Sequence, residues 1–225
     1  MKKQALTIAG VAVCVILVVG ALVGVLSMQP AETTTTTTAQ PSQPSNPPAG
    51  GAMTKAQWEA VLDKSNFDNY TLSQLQNTNS DVLVRKDLSV FKVTSGKVEI
   101  DTYWDDELQR KDVFTGADAD EQKKVAMDVF LPILVDFDNF VYNNDKDCYT
   151  NVNPISNEVT TEQSGLEVKI VMVLEHLTVK VKDGKLSYAE YDGTYTTIVV
   201  AYNMTVNATI DGTWEFTNYG TTVID

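Results

Sequence analysis

From Thr196 to Phe216 the chain alternates. Ile198, Val200, Tyr202, Met204, Val206, Ala208, Ile210, Trp214 and Phe216 stand at even positions, and Asn203, Thr205, Asn207, Thr209, Thr213, Glu215 and Thr217 at odd ones. A period of two over this length predicts sheet with one apolar and one wet face, because successive strand side chains point to opposite sides. Asp211-Gly212 lies inside the run and predicts a reversal. A three-residue loop with Gly212 left-handed would pair Thr209 with Thr213 and Val206 with Phe216, keeping Trp214 and Phe216 on the oily face. The strand before it, Thr194 to Thr209, would span about 50 Å if flat at ~3.3 Å per residue. Typical strands run ~17–20 Å, so strong coiling into a barrel or open half-barrel is expected.

Other stretches fill in the sheet. Phe91 and Val93 should face Val98 and Ile100 across a two-residue Ser95-Gly96 loop. Phe67 to Leu75 reads as strand, and Tyr149 marks a short strand within a polar loop from Asn143 to Ser156. Ile170 to Leu174 is apolar on both sides, as in a covered central strand. The alternation then changes phase at Glu175-His176, which predicts a bulge or bend. Asp183-Gly184 should turn the chain, aligning Val181 with Leu186 and Val179 with Tyr188, and Asp192-Gly193 should turn it again, giving an antiparallel meander.

Two helices are expected. Thr54 can cap the first, with Gln57 reaching back from three residues on, and Trp58, Val61 and Leu62 share a face. The second starts near Asp118, with Asp118 and Asp120 at its positive end and Val125, Val129, Ile133, Leu134 and Phe137 at helical spacing. Pro132 should bend or break it. The fold class is thus α+β: a strongly curved antiparallel sheet, an open half-barrel, with helices on its concave face.

Composition adds an address. Residues 1–4 include Lys2 and Lys3, and residues 5–27 form an apolar, uncharged segment. As helix at ~1.5 Å rise, Ala5 to Leu26 spans about 33 Å, enough for a bilayer core of ~30 Å. An uncleaved signal-anchor is expected, with cleavage after Ser27 as the rival. The lysines place the short end in the cytoplasm and the remainder outside, as a single-pass plasma-membrane protein with its C-terminal domain outside the cell. Residues 28–52, with six consecutive threonines and then Pro, Ser, Gln and Gly, read as a disordered stalk, either a bare tether or one bearing sugars. Residues 53–225 form the extracytoplasmic domain. The chain carries 30 acidic and 17 basic residues, a formal charge of −13, or −15 without Lys2 and Lys3. Such a balance argues against nucleic-acid partners.

The residues point to no reaction. Trp104-Asp105-Asp106-Glu107 could be a cation site, yet nothing downstream completes a ligand set, and a solvated loop is the simpler reading. Asn143 to Asp147 resembles a calcium loop superficially, but Cys148 takes the glycine position and Pro154 that of the final glutamate. His176, the only histidine, lacks partners at useful spacing and reads as a packed or surface residue. Cys148 reads as a buried thiol. No enzyme activity, catalytic set, metal or cofactor is expected. Asn69, Asn203 and Asn207 head glycosylation sequons, or are ordinary polar positions.

The anchor, the polar stalk, a helix before Asn66-Phe-Asp-Asn-Tyr-Thr71, an acidic loop, a second helix and the terminal Trp214-Glu-Phe-Thr-Asn-Tyr-Gly-Thr-Thr-Val-Ile224 together resemble the extracytoplasmic lipoprotein-carrier (LolA/LppX-like) superfamily. The resemblance covers residues 54–225, with motif character in Phe216 to Ile224. It implies a curved half-barrel that binds acyl chains between sheet and helices. The chain departs from the lipoprotein members in lacking a lipidation cysteine. The expected function is binding of a lipid or other apolar ligand in a groove lined by Tyr188, Ile198, Val200, Tyr202, Met204, Val206, Trp214 and Phe216 and closed by helical Val129 and Ile133. If the helix fills the groove, these residues are only core. The alternative is a cell-surface interaction module that takes no small ligand and binds protein or glycan through loops such as 104–117.

Overall fold

The computed structural model describes residues 51–163 and 166–224. The apolar segment and the stalk lie outside the described residues, among which no helix is long and apolar enough to cross a membrane. Thr54 caps helix α1 (Lys55–Val61): its side chain accepts from the Gln57 backbone, while Gln57 reaches back to the Thr54 N–H. Trp58 and Val61 are buried and Leu62 half-buried, the face expected from their spacing. A four-residue 3-10 turn carries Phe67 into the core.

Four strands follow as a meander: β1 (Tyr70–Asn79), β2 (Val84–Val93), β3 (Lys97–Trp104) and β4 (Glu107–Thr115). The Ser95-Gly96 hairpin has the expected register, with Phe91 opposite Ile100 and Val93 opposite Val98. The segment 104–117 is not a loop, because Asp105 and Asp106 adopt positive φ (48° and 70°) and turn the chain directly into β4. Asp tolerates this conformation better than bulkier residues do.

Helix α2 (Ala117–Leu134) runs through Pro132, so the proline does not break it but sits within its last turn, three residues before the helix ends at Val135. Ala119, Ala126, Phe130, Ile133 and Leu134 are buried. Val125 and Val129 belong to this helix, but their side chains lie outside the described residues. The chain continues through β5 (Phe140–Asn143), β6 (Cys148–Asn151), β7 (Ile155–Gln163), β8 (Leu166–Lys182), β9 (Lys185–Val199) and β10 (Met204–Thr217). Cys148 is buried.

All neighbouring strands pair antiparallel and form one sheet in the order β4-β3-β2-β1-β10-β9-β8-β6-β5, with β7 on the first half of β8. The last strand therefore closes against the first: Leu72 faces Phe216 and Gln74 faces Trp214. One face of this sheet carries the core together with α1 and α2. Trp58 stacks near Phe137, Phe140 and Tyr149 and donates its indole N–H to the Leu134 carbonyl at 2.8 Å, which ties α1, the end of α2 and the β5-β6 hairpin together. Phe130 of α2 meets Phe67, Trp214 and Phe216.

Three expected features of the C-terminal half are corrected. Asp183-Gly184 does turn, with φ of 53° and 73°. Asp192-Gly193 and Asp211-Gly212 do not, because they lie inside β9 and β10 and continue the ladder, Ile210 opposite Gly193 and Gly212 opposite Tyr191. These glycines answer to close approach. A Cβ on Gly193 would stand 2.0 Å from the Val173 carbonyl oxygen, and one on Gly212 would stand 2.2 Å from that of Leu75 and 2.6 Å from the Tyr191 hydroxyl. The reversal falls instead at Val200–Tyr202, a 3-10 turn ended by left-handed Asn203 (φ 47°), so Thr194 to Thr209 is not one strand. Finally, irregular register between Lys180 and Val181 aligns Tyr188 with Lys180 and Val179 with Ala189. The phase change at Glu175 is a register shift in β8, as the alternation predicts.

Candidate functional site

Because directly paired residues share a face, the register sorts every strand position. The helix-bearing face takes the even residues of β1, β3 and β10, the odd residues of β2 and, beyond Ser187, the odd residues of β9. Trp214 and Phe216 lie on it in the main core, beneath Phe130, and Ile133 is buried in the same core. Met204 and Val206 lie on it too, half-buried, opposite Val199 and Thr197.

Tyr188 and Ile198 fall on the other face, opposite Glu215 and Thr205. The register shift moves Tyr188 there, where the Lys180 ammonium lies 5.8 Å from its ring. Ile198 is displaced because the chain reverses after it, so its even number no longer shares a face with Met204. Val200 and Tyr202 are in the turn itself, 46% and 57% exposed. The structure thus brings together Trp214, Phe216 and Ile133, and separately Met204 and Val206; it scatters the other four described residues of the expected groove.

Two features of the helix-bearing face were not read from the sequence. The first is a second apolar cluster, the buried pair Val168 and Ile170, which Tyr195 links to the main core by packing against both. It shares successive ladder positions with Met172, Val199, Met204, Val206 and Ala208: Val168 faces Val199, Ile170 faces Thr197 and Met172 faces Tyr195. Val168, Ile170 and Val199 are buried, whereas Met172, Tyr195, Met204, Val206 and Ala208 are half-buried. This strip lies six to ten residues up β10 from Trp214, where Phe130 sits.

The second is polar. Along β1 the inward series runs Tyr70, Leu72, Gln74, Gln76, Thr78, and along β2 it runs Val93, Phe91, Ser89, Asp87, Arg85. Each series passes from apolar to polar while remaining buried, except at the half-buried Gln76. Arg85 contacts Asp87 as an ion pair at 2.8 Å and lies 4.8 Å from the centre of the Trp104 ring. Arg85 Nη2 is buried without a partner of its own. Gln74 Oε1 and the indole N–H groups of Trp104 and Trp214 are likewise buried without partners. Burial pushes the Asp87 carboxyl above its ordinary value, against the opposing pull of the Arg85 charge. Tyr191 lies over Gly212 and donates to Gln76 Oε1 at 3.3 Å, and burial raises its phenol pKa. The legible signal was parity: Arg85, Asp87 and Ser89 share the spacing of Phe91 and Val93, so a one-faced reading of β2 would have put them inside.

The opposite face of β3 holds a charged ladder. Glu99 meets Lys92 in a short hydrogen bond and Lys111 at 3.0 Å, and Asp101 lies within 3.7 Å and 3.8 Å of the same two lysines. Lys92, hydrogen-bonded to Glu99, holds that carboxyl below its ordinary value, and Glu99 in return raises Lys92. Glu99 is shielded by lysine side chains and not by depth in the core, so the pairing is screened by nearby water. A carboxyl with a depressed folded-state pKa stabilises above its unfolded pKa, and the contribution disappears as pH falls through the folded value. Replacing Glu99 by Gln should therefore cost about 1 kcal/mol near pH 7. Thermal melts of both proteins should converge as the pH drops below the glutamate range; a gap of constant size down to acid pH would show that the charge is not responsible.

Among the described residues no group of three or more His, Cys, Asp or Glu side chains is placed to hold a metal ion. Compared with known proteins, the chain matches no family model and no curated protein significantly.

Proposed function

We propose that residues 53–225 form a lipid-carrying domain whose sheet is coiled into an open half-barrel, held outside the plasma membrane by residues 5–27 and spaced from it by the stalk. The coiling is supported by three irregularities within two ladder positions of one another across the longest strands: the register shift of β8 at Glu175, Gly193 in β9 and Gly212 in β10. Bulges and strand glycines are where long strands bend. The observation that carries the ligand is the apolar strip from Met172 through Tyr195 to Met204 and Val206, which extends the core-bearing face from the edge of the main core and stays half-buried. An apolar surface of this kind, partly open and continuous with a helix-covered core, suits an acyl chain.

The groove proposed from the structure keeps Met204, Val206, Trp214 and Phe216 from the expected set and adds Met172 and Tyr195. Native mass spectrometry of protein expressed from residue 53 onward, so that no upstream apolar segment contributes, tests this. Lipid mass should accompany the protein and be released by organic extraction, and Val206→Asp, which places a charge in the strip, should reduce the bound fraction at least about tenfold. A protein free of lipid, or one whose lipid is indifferent to Val206→Asp, would remove carriage and leave the interaction module.

A further inference from the structure

Strand β10 has an uncovered edge. From Thr209 onward it pairs with β1 as well as β9, but residues 204–208 pair with β9 alone, because β1 stops at Asn79, opposite Thr209. Alternate residues of this edge point backbone N–H and C=O groups away from β9, and among the described residues no strand meets them there. Sheet edges are ordinarily blunted by charge, proline, a bulge or short length. The other edges obey this: β4 carries Glu107, Arg110, Lys111 and Asp112, β7 carries Glu158 and Glu162, and β5 is 4 residues long. Residues 204–208 hold neither charge nor proline, and no charged residue stands between Asp192 and Asp211. A cleft of about 510 Å³ lies alongside on the face away from the helices, floored by Thr194, Thr196 and Asn207 and walled by Asn79 and Asp81.

An occupant of this edge needs an extended, uncharged backbone whose side chains suit a wet cleft on one face and Met204 and Val206 on the other. Threonine offers a hydroxyl and a methyl together, and its β-branch favours strand. The chain supplies such a segment: between Pro30 and Pro41 lies a proline-free run with six threonines at 33–38. Its reach is sufficient. Met53 donates to the Tyr149 hydroxyl, and Tyr149, Val179, Ala189 and Trp214 stand side by side across β6, β8, β9 and β10. From Tyr149 to the open edge at Val206 is a path of about 32 Å over the sheet, at ~3.3 Å per residue and ~4.8 Å per strand. The stretch from Thr38 to Met53 can span about 50 Å. Tethering also raises the local concentration of the segment to about millimolar, so a short strand too weak to bind as a free peptide can dock.

We propose that residues 33–38 pair with residues 204–208 as an additional strand, docking part of the stalk onto the domain. This interface goes beyond lipid carriage and stands whether or not the apolar strip holds a ligand. Residue-resolved hydrogen exchange on the full chain in detergent tests it. The comparison is a stalk variant carrying Thr33→Gly, Thr34→Ser, Thr35→Gly, Thr36→Ser, Thr37→Gly and Thr38→Ser, which keeps length and polarity but loses strand propensity. The outward-pointing amides of residues 204–208 should exchange at least about tenfold faster in the variant, while those of β4 stay unchanged. A second variant, Thr35→Pro with Thr36→Pro, puts one of two adjacent rings on the paired side and should release the same amides. Fast exchange in all three chains would show an open edge and overturn the proposal. Slow exchange in all three would show that something else, such as a second copy of the chain, covers the edge, and would overturn it equally.

Discussion

Replacing Gly193 by alanine should destabilise the protein by about 4 kcal/mol or more, lowering its melting temperature by about 8–16 °C. The added methyl would stand 2.0 Å from the Val173 carbonyl oxygen and 2.9 Å from Leu174 Cα. Both are backbone atoms of β8, which pairs with β9 along nearly its whole length, so neither can swing aside as a side chain tip would. Relief requires the two strands to separate at the position where they bend, and overpacking against backbone is among the few mechanisms that give losses of this size. Gly96 supplies the control: nothing lies within 4 Å of a Cβ built there, so Gly96→Ala should shift the melt by less than about 1 kcal/mol. Equal melts for the two variants would mean that Gly193 does not hold β9 against β8.

Truncating Trp58 should cost about 3–5 kcal/mol. Its side chain is fully buried, its ring meets three aromatic residues, and its N–H satisfies the Leu134 carbonyl at a helix end, where carbonyls lack partners within the helix. Trp58→Phe separates the terms: most of the area stays and the hydrogen bond goes, so the loss should be about 1–2 kcal/mol. Denaturant unfolding of the two variants measures both. A Phe variant as damaged as the Ala variant would show that the bond to Leu134, and not the ring packing, joins α1 to α2.

Both effects show where the chain is legible and where it is not. Local signals read correctly: the Thr54 capping box, the Ser95-Gly96 hairpin, the start of α2 and the phase change at Glu175 each depend on residues close in sequence. The two Asp-Gly pairs in β9 and β10 misled because the same dipeptide serves two physical ends. At Asp183-Gly184 it supplies positive φ for a turn; at Gly193 and Gly212 the missing Cβ makes room for a neighbouring strand, a demand set by residues far away in sequence. The true reversal at Val200–Tyr202 carries no Gly or Pro and is made of apolar residues, so period-two counting ran straight through it, and Ile198 was assigned to the wrong face. The polar patch escaped because Arg85, Asp87 and Gln74 look like surface residues until their parity with Phe91 and Leu72 is followed inward.

The central claim is that an apolar ligand lies on the helix-bearing face beside β10. Photo-crosslinking the full chain with a fatty acid bearing a diazirine near its methyl end, followed by peptide mapping, tests it most directly. The account predicts adducts on Met172, Tyr195, Met204 and Val206, lost in Val206→Asp. Adducts confined to the opposite face, at Tyr188 or Ile198, or found only within residues 5–27, would contradict it.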